Sequence, residues 1–244
     1  MRPVRRGLSP RARDFEHSRD ARVELISRLG QYCSYCERHI PTQLAVEHIQ
    51  PKSLPQYAAL EGRWENFLLG CVNCNSTKLD KDVALADHLL PDRDNTFVAF
   101  QYGPDGTVRA ASALGAPATA QASATLALVG LDKRITQALD ANGKLVAIDR
   151  VAQRIEAWAT AEEAKADVNA NQNAPVVRTL VAKLAAVTGF FSVWMTVFAN
   201  DADMRRQLIG TFKGTWNSDC FDPTTTAPVR PAPNPDGLPN GGKT

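Results

Sequence analysis

Two cysteine pairs, Cys33-x-x-Cys36 and Cys71-x-x-Cys74, bracket the segment Val46-Glu47-His48-Ile49, and Asn75 follows the last cysteine directly. Four thiolates in two close pairs can complete a tetrahedral zinc shell, because each two-residue spacer lets both sulfurs of a knuckle reach one ion. The zinc would close a loop of 34 residues. Inside that loop lie a carboxylate and an imidazole suited to metal-assisted hydrolysis. A neutral imidazole titrates near neutrality, so His48 can take a proton from water. His39 follows Cys36 by three residues, but four cysteines already fill a tetrahedral shell.

These groups need elements to position them. Asp20–Leu29 carries Val23, Leu25, Ile26 and Leu29 at near-helical spacing, and Gly30 is placed as a helix stop. Leu44–Ile49 reads as a short strand ended by Pro51. Neighbouring side chains on a strand point to opposite faces, so Glu47 and His48 share a site only if the strand ends or bends there. Trp64–Leu69 returns toward the second knuckle, and a polar helix runs from Asn75 to about Lys81. Lys78 shares a helix face with Asn75, where it meets either a phosphate oxygen or solvent.

Farther along, Phe97–Tyr102 and Thr107–Ala111 flank Gly103-Pro-Asp-Gly106, a strong hairpin signal. From about Ser123 to Phe212 the pattern is helical, with Ile148, Val151, Ile155 and Trp158 forming one stripe and Pro175 at a first-turn position. The last 23 residues hold six prolines and three glycines and are expected to be disordered. The expected divisions are 1–30 (basic arm and helix), 31–115 (metal core and hairpin), 116–221 (helical region) and 222–244 (tail).

The segments Tyr32-Cys-Ser-Tyr-Cys36, Ala45-Val-Glu-His-Ile-Gln-Pro-Lys52, Trp64-Glu-Asn-Phe67 and Gly70-Cys-Val-Asn-Cys-Asn-Ser-Thr-Lys78 resemble the HNH, or ββα-metal, endonucleases over roughly residues 30–82. The resemblance implies an α+β fold: a zinc-stapled ββα-metal core, a following β-hairpin and a mainly α-helical C-terminal region. It implies that His48 is the general base activating water for attack on phosphorus and that Glu47 binds a divalent cation. Asn75 matches the third motif position, and its amide oxygen is a hard ligand suited to Mg2+. Asn66 matches the middle position, which holds the loop that orients the base.

Two ions are therefore expected, a closed Zn2+ on thiolates and an open Mg2+ or Mn2+ on Glu47 and Asn75. Leu90-Pro-Asp-Arg-Asp-Asn95, Thr96–Tyr102 and Thr125-Leu-Ala-Leu-Val-Gly-Leu131 look like the HNH subunits of bacterial anti-phage systems. The nearest type is the nuclease partner of an ATPase in Septu-like and retron-associated systems. There Arg93 would help bind the scissile strand.

Composition narrows the remaining choices. At 44% hydrophobic and 22% charged, the 244-residue chain reads as an ordinary globular protein. Residues 1–30 hold eight arginines against four acids, +4 of a total of +2, so the rest sums to −2. Such an arm, Arg5 and Arg6 included, can follow a phosphate backbone, or it can be a solvated terminus. The early arginines are not followed by an apolar stretch, and Phe190–Ala199 is too short to span a bilayer. Five cysteines, four committed to zinc, fit a reducing cytoplasm.

Three functions compete on these grounds: a DNA-cutting defence nuclease held by an ATPase, a stand-alone restriction-type nuclease, and a non-catalytic zinc module for nucleic acid. The third need not keep Glu47, His48 and Asn75 together. The aromatic segment Phe190–Phe198 carries more large apolar side chains than one helix face buries, so it is the expected dock for the partner.

Overall fold

In the computed structural model, which describes residues 1–134, 149–171 and 174–244, the first helix α1 (Arg22–Leu29) ends at Gly30 with φ +75°. The Cys33–Cys36 knuckle follows, with the amide of Glu37 donating to the Cys33 carbonyl. Strand β1 (Ala45–His48) pairs antiparallel with β2 (Phe67–Gly70), Ala45 opposite Gly70 and His48 opposite Phe67. Helix α2 (Val72–Lys78) begins at Cys71, immediately after β2, so one tight junction carries the second knuckle and the start of the helix. All four β2 residues are buried, which fixes this pair inside the core.

A short helix α3 (Thr96–Ala99) leads into β3 (Phe100–Tyr102), which pairs with β4 (Val108–Ala110) across the Gly103–Gly106 turn. The expected strand at Thr96–Tyr102 is therefore half helix. Tertiary bonds override its β-type composition: Asn95 Nδ2 donates to the Cys220 carbonyl, and Thr96 Oγ1 donates to the Met1 carbonyl.

Helix α4 (Ala116–Val129) starts earlier than the apolar pattern and stops at Gly130 in the left-handed region. Helix α5 (Arg150–Ala170) is capped by Asp149, whose side chain accepts from the amides of Val151 and Ala152. Its buried residues are Arg150, Val151, Ala152, Arg154, Ala157, Ala161, Ala164 and Val168; of the expected stripe Val151 is buried, Ile155 and Trp158 are half-buried, and Ile148 lies outside the described residues. Small residues on the buried face let α7 (Phe191–Val197) approach closely, and α6 (Pro175–Thr188) and α8 (Ala202–Thr211) complete the helical pack. One apolar cluster surrounds the strands and knuckles, a second lies among α5–α8, and Trp158 packs against both.

Both termini depart from expectation. Met1, Arg2, Val4 and Arg6 are buried, so the first six residues are core, neither a phosphate track nor a frayed end. Residues 222–244 form no disordered tail in this structure: Ala232 and Leu238 are buried, and the Gly242 amide donates to the Arg93 carbonyl. Side-chain bonds replace regular structure there, as where Asn234 pairs with both backbone groups of Leu238. The aromatic segment is also core, with Phe190, Phe191, Trp194 and Phe198 all buried. Val176, Leu180, Leu184 and Val187 form an exposed apolar stripe on α6, and Trp216 is exposed as well.

Candidate active site and zinc cage

The four knuckle sulfurs lie within 4.8 Å of one another on buried residues. Cys36 Sγ and Cys71 Sγ are 3.7 Å apart. A tetrahedron with zinc–sulfur bonds of about 2.3 Å has edges of about 3.8 Å, so the cage has the dimensions of a zinc site. Donors close around it: the Cys71 amide reaches Cys33 Sγ at 3.4 Å and Arg150 Nη1 reaches Cys74 Sγ at 3.1 Å. Hydrogen bonds from Cys33, Cys36 and Cys74 hold the Cys71 thiol far below its ordinary value, toward the thiolate a metal needs. His39 is elsewhere, its Nδ1 3.1 Å from the Val187 carbonyl oxygen.

Sequence reasoning overlooked Arg150, which comes from α5, 76 residues from the cysteine it serves. A signal was present. Arg150 and Arg154 continue the small-residue spacing of Ala157, Ala161 and Ala164, which places both guanidinium groups on the inward face.

The second constellation sits where β1, β2 and α2 meet. His48 Nε2 lies 2.9 Å from the Glu61 carbonyl oxygen, and its ring stands edge-on to Phe67 at 5.2 Å. A carbonyl oxygen can only accept, so Nε2 carries the proton and Nδ1 keeps its lone pair. Burial lowers the His48 pKa, and the nearby Lys52 and Lys78 charges lower it further, against the opposing pull of Glu61. The ring is thus neutral and basic at neutral pH.

Asn66 controls this backbone. Its Oδ1 accepts from the Gln50 amide at 2.8 Å, and its Nδ2 donates to the carbonyls of Gln50 and Leu60 at 2.9 and 3.2 Å. One buried amide therefore ties the end of the His48 strand to the loop carrying Glu61.

Glu47 points the other way along the strand, toward α2. An added Cβ at Gly70 would lie 3.0 Å from Asn75 Oδ1 and 3.1 Å from Glu47 Cβ, so this glycine leaves the gap in which the two side chains meet. Asn75 Oδ1 is buried without a hydrogen-bond partner, and Glu47 Oε1 is buried against Lys78 Nζ. Two such hard oxygens fit a hard cation, and the thiolates fit a soft one. Burial raises the Glu47 pKa, and Lys78 opposes it.

Lys78 was expected at a phosphate or in solvent, and it is in neither place. It is 2% exposed. Its Nζ stands 2.8 Å from Glu47 Oε1 and donates to the His48 carbonyl oxygen at 2.8 Å. One ammonium thus joins the Glu47 carboxylate to the backbone of His48.

The remaining candidate cations are also engaged. Arg6 is buried, donating to the carbonyls of Phe67 and Glu65 and pairing with Asp92 at 2.8 Å. Arg93, also buried, pairs with Asp92 at 2.9 Å and donates to the Pro239 carbonyl at 3.0 Å. Arg5 pairs with Asp236 at 2.7 Å. Burial alone would raise Asp92, but Arg93 and Arg6 outweigh it and hold the carboxyl down to about 2. The arm still borders the site farther on: the Phe15 amide donates to the Gly62 carbonyl, beside the His48-bound Glu61, and Arg11 and Arg13 are exposed.

Residues 33–81 match the family model described as HNH endonuclease, a span that begins at the first cage cysteine and covers β1, β2 and α2. No curated protein matches the chain. The match supports the HNH family and a nuclease, in a mixed helix-and-sheet protein whose four cysteines could hold a structural zinc. Among the described residues, no helix is long and apolar enough to cross a membrane.

Proposed function

We propose that the protein is a metal-dependent endonuclease that hydrolyses phosphodiester bonds in DNA. One observation carries the reading: an imidazole with a set tautomer follows directly on the strand residue whose carboxylate shares the gap beside Gly70 with the unpartnered Asn75 Oδ1. His48 Nδ1 accepts a proton from water as the water oxygen attacks phosphorus, and the bond from phosphorus to the 3′ oxygen breaks. The products are a 5′-phosphate and a 3′-hydroxyl. Glu47 and Asn75 would hold Mg2+ or Mn2+, which supplies charge stabilisation at the phosphate and the leaving oxygen when bound. Asn66 keeps the base aligned by fixing the backbone on both sides of it.

Nicking of supercoiled plasmid, with added Mg2+ or after removal of divalent ions, tests this reading. His48→Ala should lower the rate on the order of 10²–10⁴-fold, the range for losing a general base, with zinc content and melting temperature retained. Cleavage at the wild-type rate would sink the assignment.

The resemblance beyond residue 90 extends the proposal to a bacterial anti-phage nuclease working with an ATPase. The exposed α6 stripe of Val176, Leu180, Leu184 and Val187 supports a docked protein. Co-purification with the ATPase encoded next to it is the measurement. A protein that purifies alone and cuts DNA freely is instead a stand-alone nuclease.

A further inference from the structure

The position of Lys78 bears on how the working cation is held. The ligand pair of Glu47 and Asn75 brings one negative charge, and Lys78 cancels it from 2.8 Å. Lys78 is the charge that acts on Glu47 directly. The gap beside Gly70 therefore has hard oxygens and a carboxylate already matched by an ammonium.

Protein sites for Mg2+ commonly use one or two carboxylates and complete the shell with water and substrate phosphate. Here the one carboxylate already has a resident cation. An incoming dication must lie within a few ångströms of that ammonium, and like charges at such distances repel strongly in a partly buried site. A phosphodiester returns a negative charge to the same place.

Resting on the nuclease reading, we propose that Lys78 is a built-in competitor of the divalent cation, so that the ion binds tightly only together with a nucleic-acid phosphate. Lys78 is a positioning residue. Without the ion it neutralises the buried Glu47 carboxylate and holds the His48 carbonyl, which keeps the site assembled. An ion bound without substrate is disfavoured, and so is the metal-activated site that would go with it.

The test counts bound Mn2+ from the electron paramagnetic signal of the free ion, using zinc-loaded His48→Ala protein so that no strand is cut. Titrations run with and without a short duplex, and the duplex alone is subtracted. The parent should bind Mn2+ weakly by itself and at least about tenfold more tightly with the duplex. Lys78→Met should tighten duplex-free binding on the order of 10- to 100-fold and shrink the effect of the duplex. Mn2+ should also raise its melting temperature more than the parent's. Lys78→Arg, which keeps the charge, should behave as the parent does.

A folded Lys78→Met protein, with full zinc, that binds Mn2+ no more tightly than the parent overturns the proposal. If that variant does not fold, Lys78→Gln, which retains a donor for the His48 carbonyl, is judged by the same criterion. Glu47→Gln separates the two levels of inference. Unchanged Mn2+ binding in Glu47→Gln removes the cation site itself, and the role of Lys78 falls with it. Loss of binding in Glu47→Gln without tightening in Lys78→Met removes only the competitor.

Discussion

The four-cysteine cage and the proposed cation site beside Gly70 would treat a metal in opposite ways. At the cage, four sulfurs converge within 4.8 Å, and neighbouring donors such as Arg150 aim at sulfur. At the other site, Asn75 Oδ1 lacks a partner and an ammonium rests against Glu47 Oε1. A structural ion is retained by saturating it with soft ligands, whereas a working ion needs open positions and the freedom to leave. The same short helix, α2, serves both ends, with Cys74 on the cage and Asn75 and Lys78 on the working side.

Breaking the cage should give the largest effect. Cys71→Ser removes one of four ligands, and zinc binding in small zinc units is worth on the order of 10 kcal/mol of folding free energy. Zinc analysis and thermal melting should show the ion lost and the cooperative transition of the strand-and-knuckle core gone. A variant that keeps full zinc and the wild-type melt would erase the distinction between the two sites.

Disturbing the working end should cost rate more than fold. Asn66→Ala frees the Gln50 and Leu60 backbone groups, and misplacement of a base by about an ångström can cost on the order of 10²-fold. Single-turnover cleavage at saturating Mg2+ should show that loss with zinc content unchanged. A variant cutting at the wild-type rate would mean that the loop needs no clamp.

Arg150→Met tests the cage more gently. Losing a charge-assisted bond to the Cys74 sulfur should lower stability by about 1.5–3 kcal/mol in urea denaturation. Zinc-saturated protein should cleave at the parent rate, since the bonds of Arg150 run to the Cys74 sulfur and to the Val129 and Gly130 carbonyls. A slower rate at full zinc would show that the two sites are coupled.

At the acid end of the range the group to watch is the ion cluster that joins arm, core and tail, below the range in which Glu47 titrates. Asp92 is held at about 2 against an ordinary 3.8. Its contribution, about 2 kcal/mol, is fully present above pH 4 and is lost as pH falls through 2. Urea midpoints measured between pH 5 and 2 should therefore fall less steeply for Asp92→Asn than for the parent, from a lower starting value.

Much of the site was legible because its signals are local. Cysteine spacing, the Glu47-His48 adjacency and Asn75 beside Cys74 each describe only a few residues of chain, and the match at residues 33–81 falls on the same stretch. The opposite-face difficulty for Glu47 and His48 was also legible, and α2 answers it by approaching the Glu47 side. Arg150, the buried arm and the packed tail were not legible. Each depends on a contact across a long separation in sequence: Arg6 with Asp92, the Gly242 amide with the Arg93 carbonyl. Proline-rich composition predicts weak regular structure, but it says nothing about side-chain bonds to a neighbouring surface. The aromatic segment misled for a related reason. Phe191 and Trp194 lie on a helix enclosed all round by neighbours, which hydrophobicity alone cannot distinguish from an exposed sticky face.

The sequence by itself determined which atoms can ligate and which can take a proton. Thiolate, carboxylate, amide and imidazole chemistry belongs to residue type, and short spacers restrict which of them can share an ion. The tertiary structure decided where the positive charge goes. Arg6, Arg93 and Lys78 read equally well as phosphate contacts along the chain, but burial forces a charge to find a partner inside the protein. Asp92 takes the first two and Glu47 the third. For Arg6 and Lys78 that choice is made by long side chains reaching across packed elements, a distance over which sequence spacing carries no information.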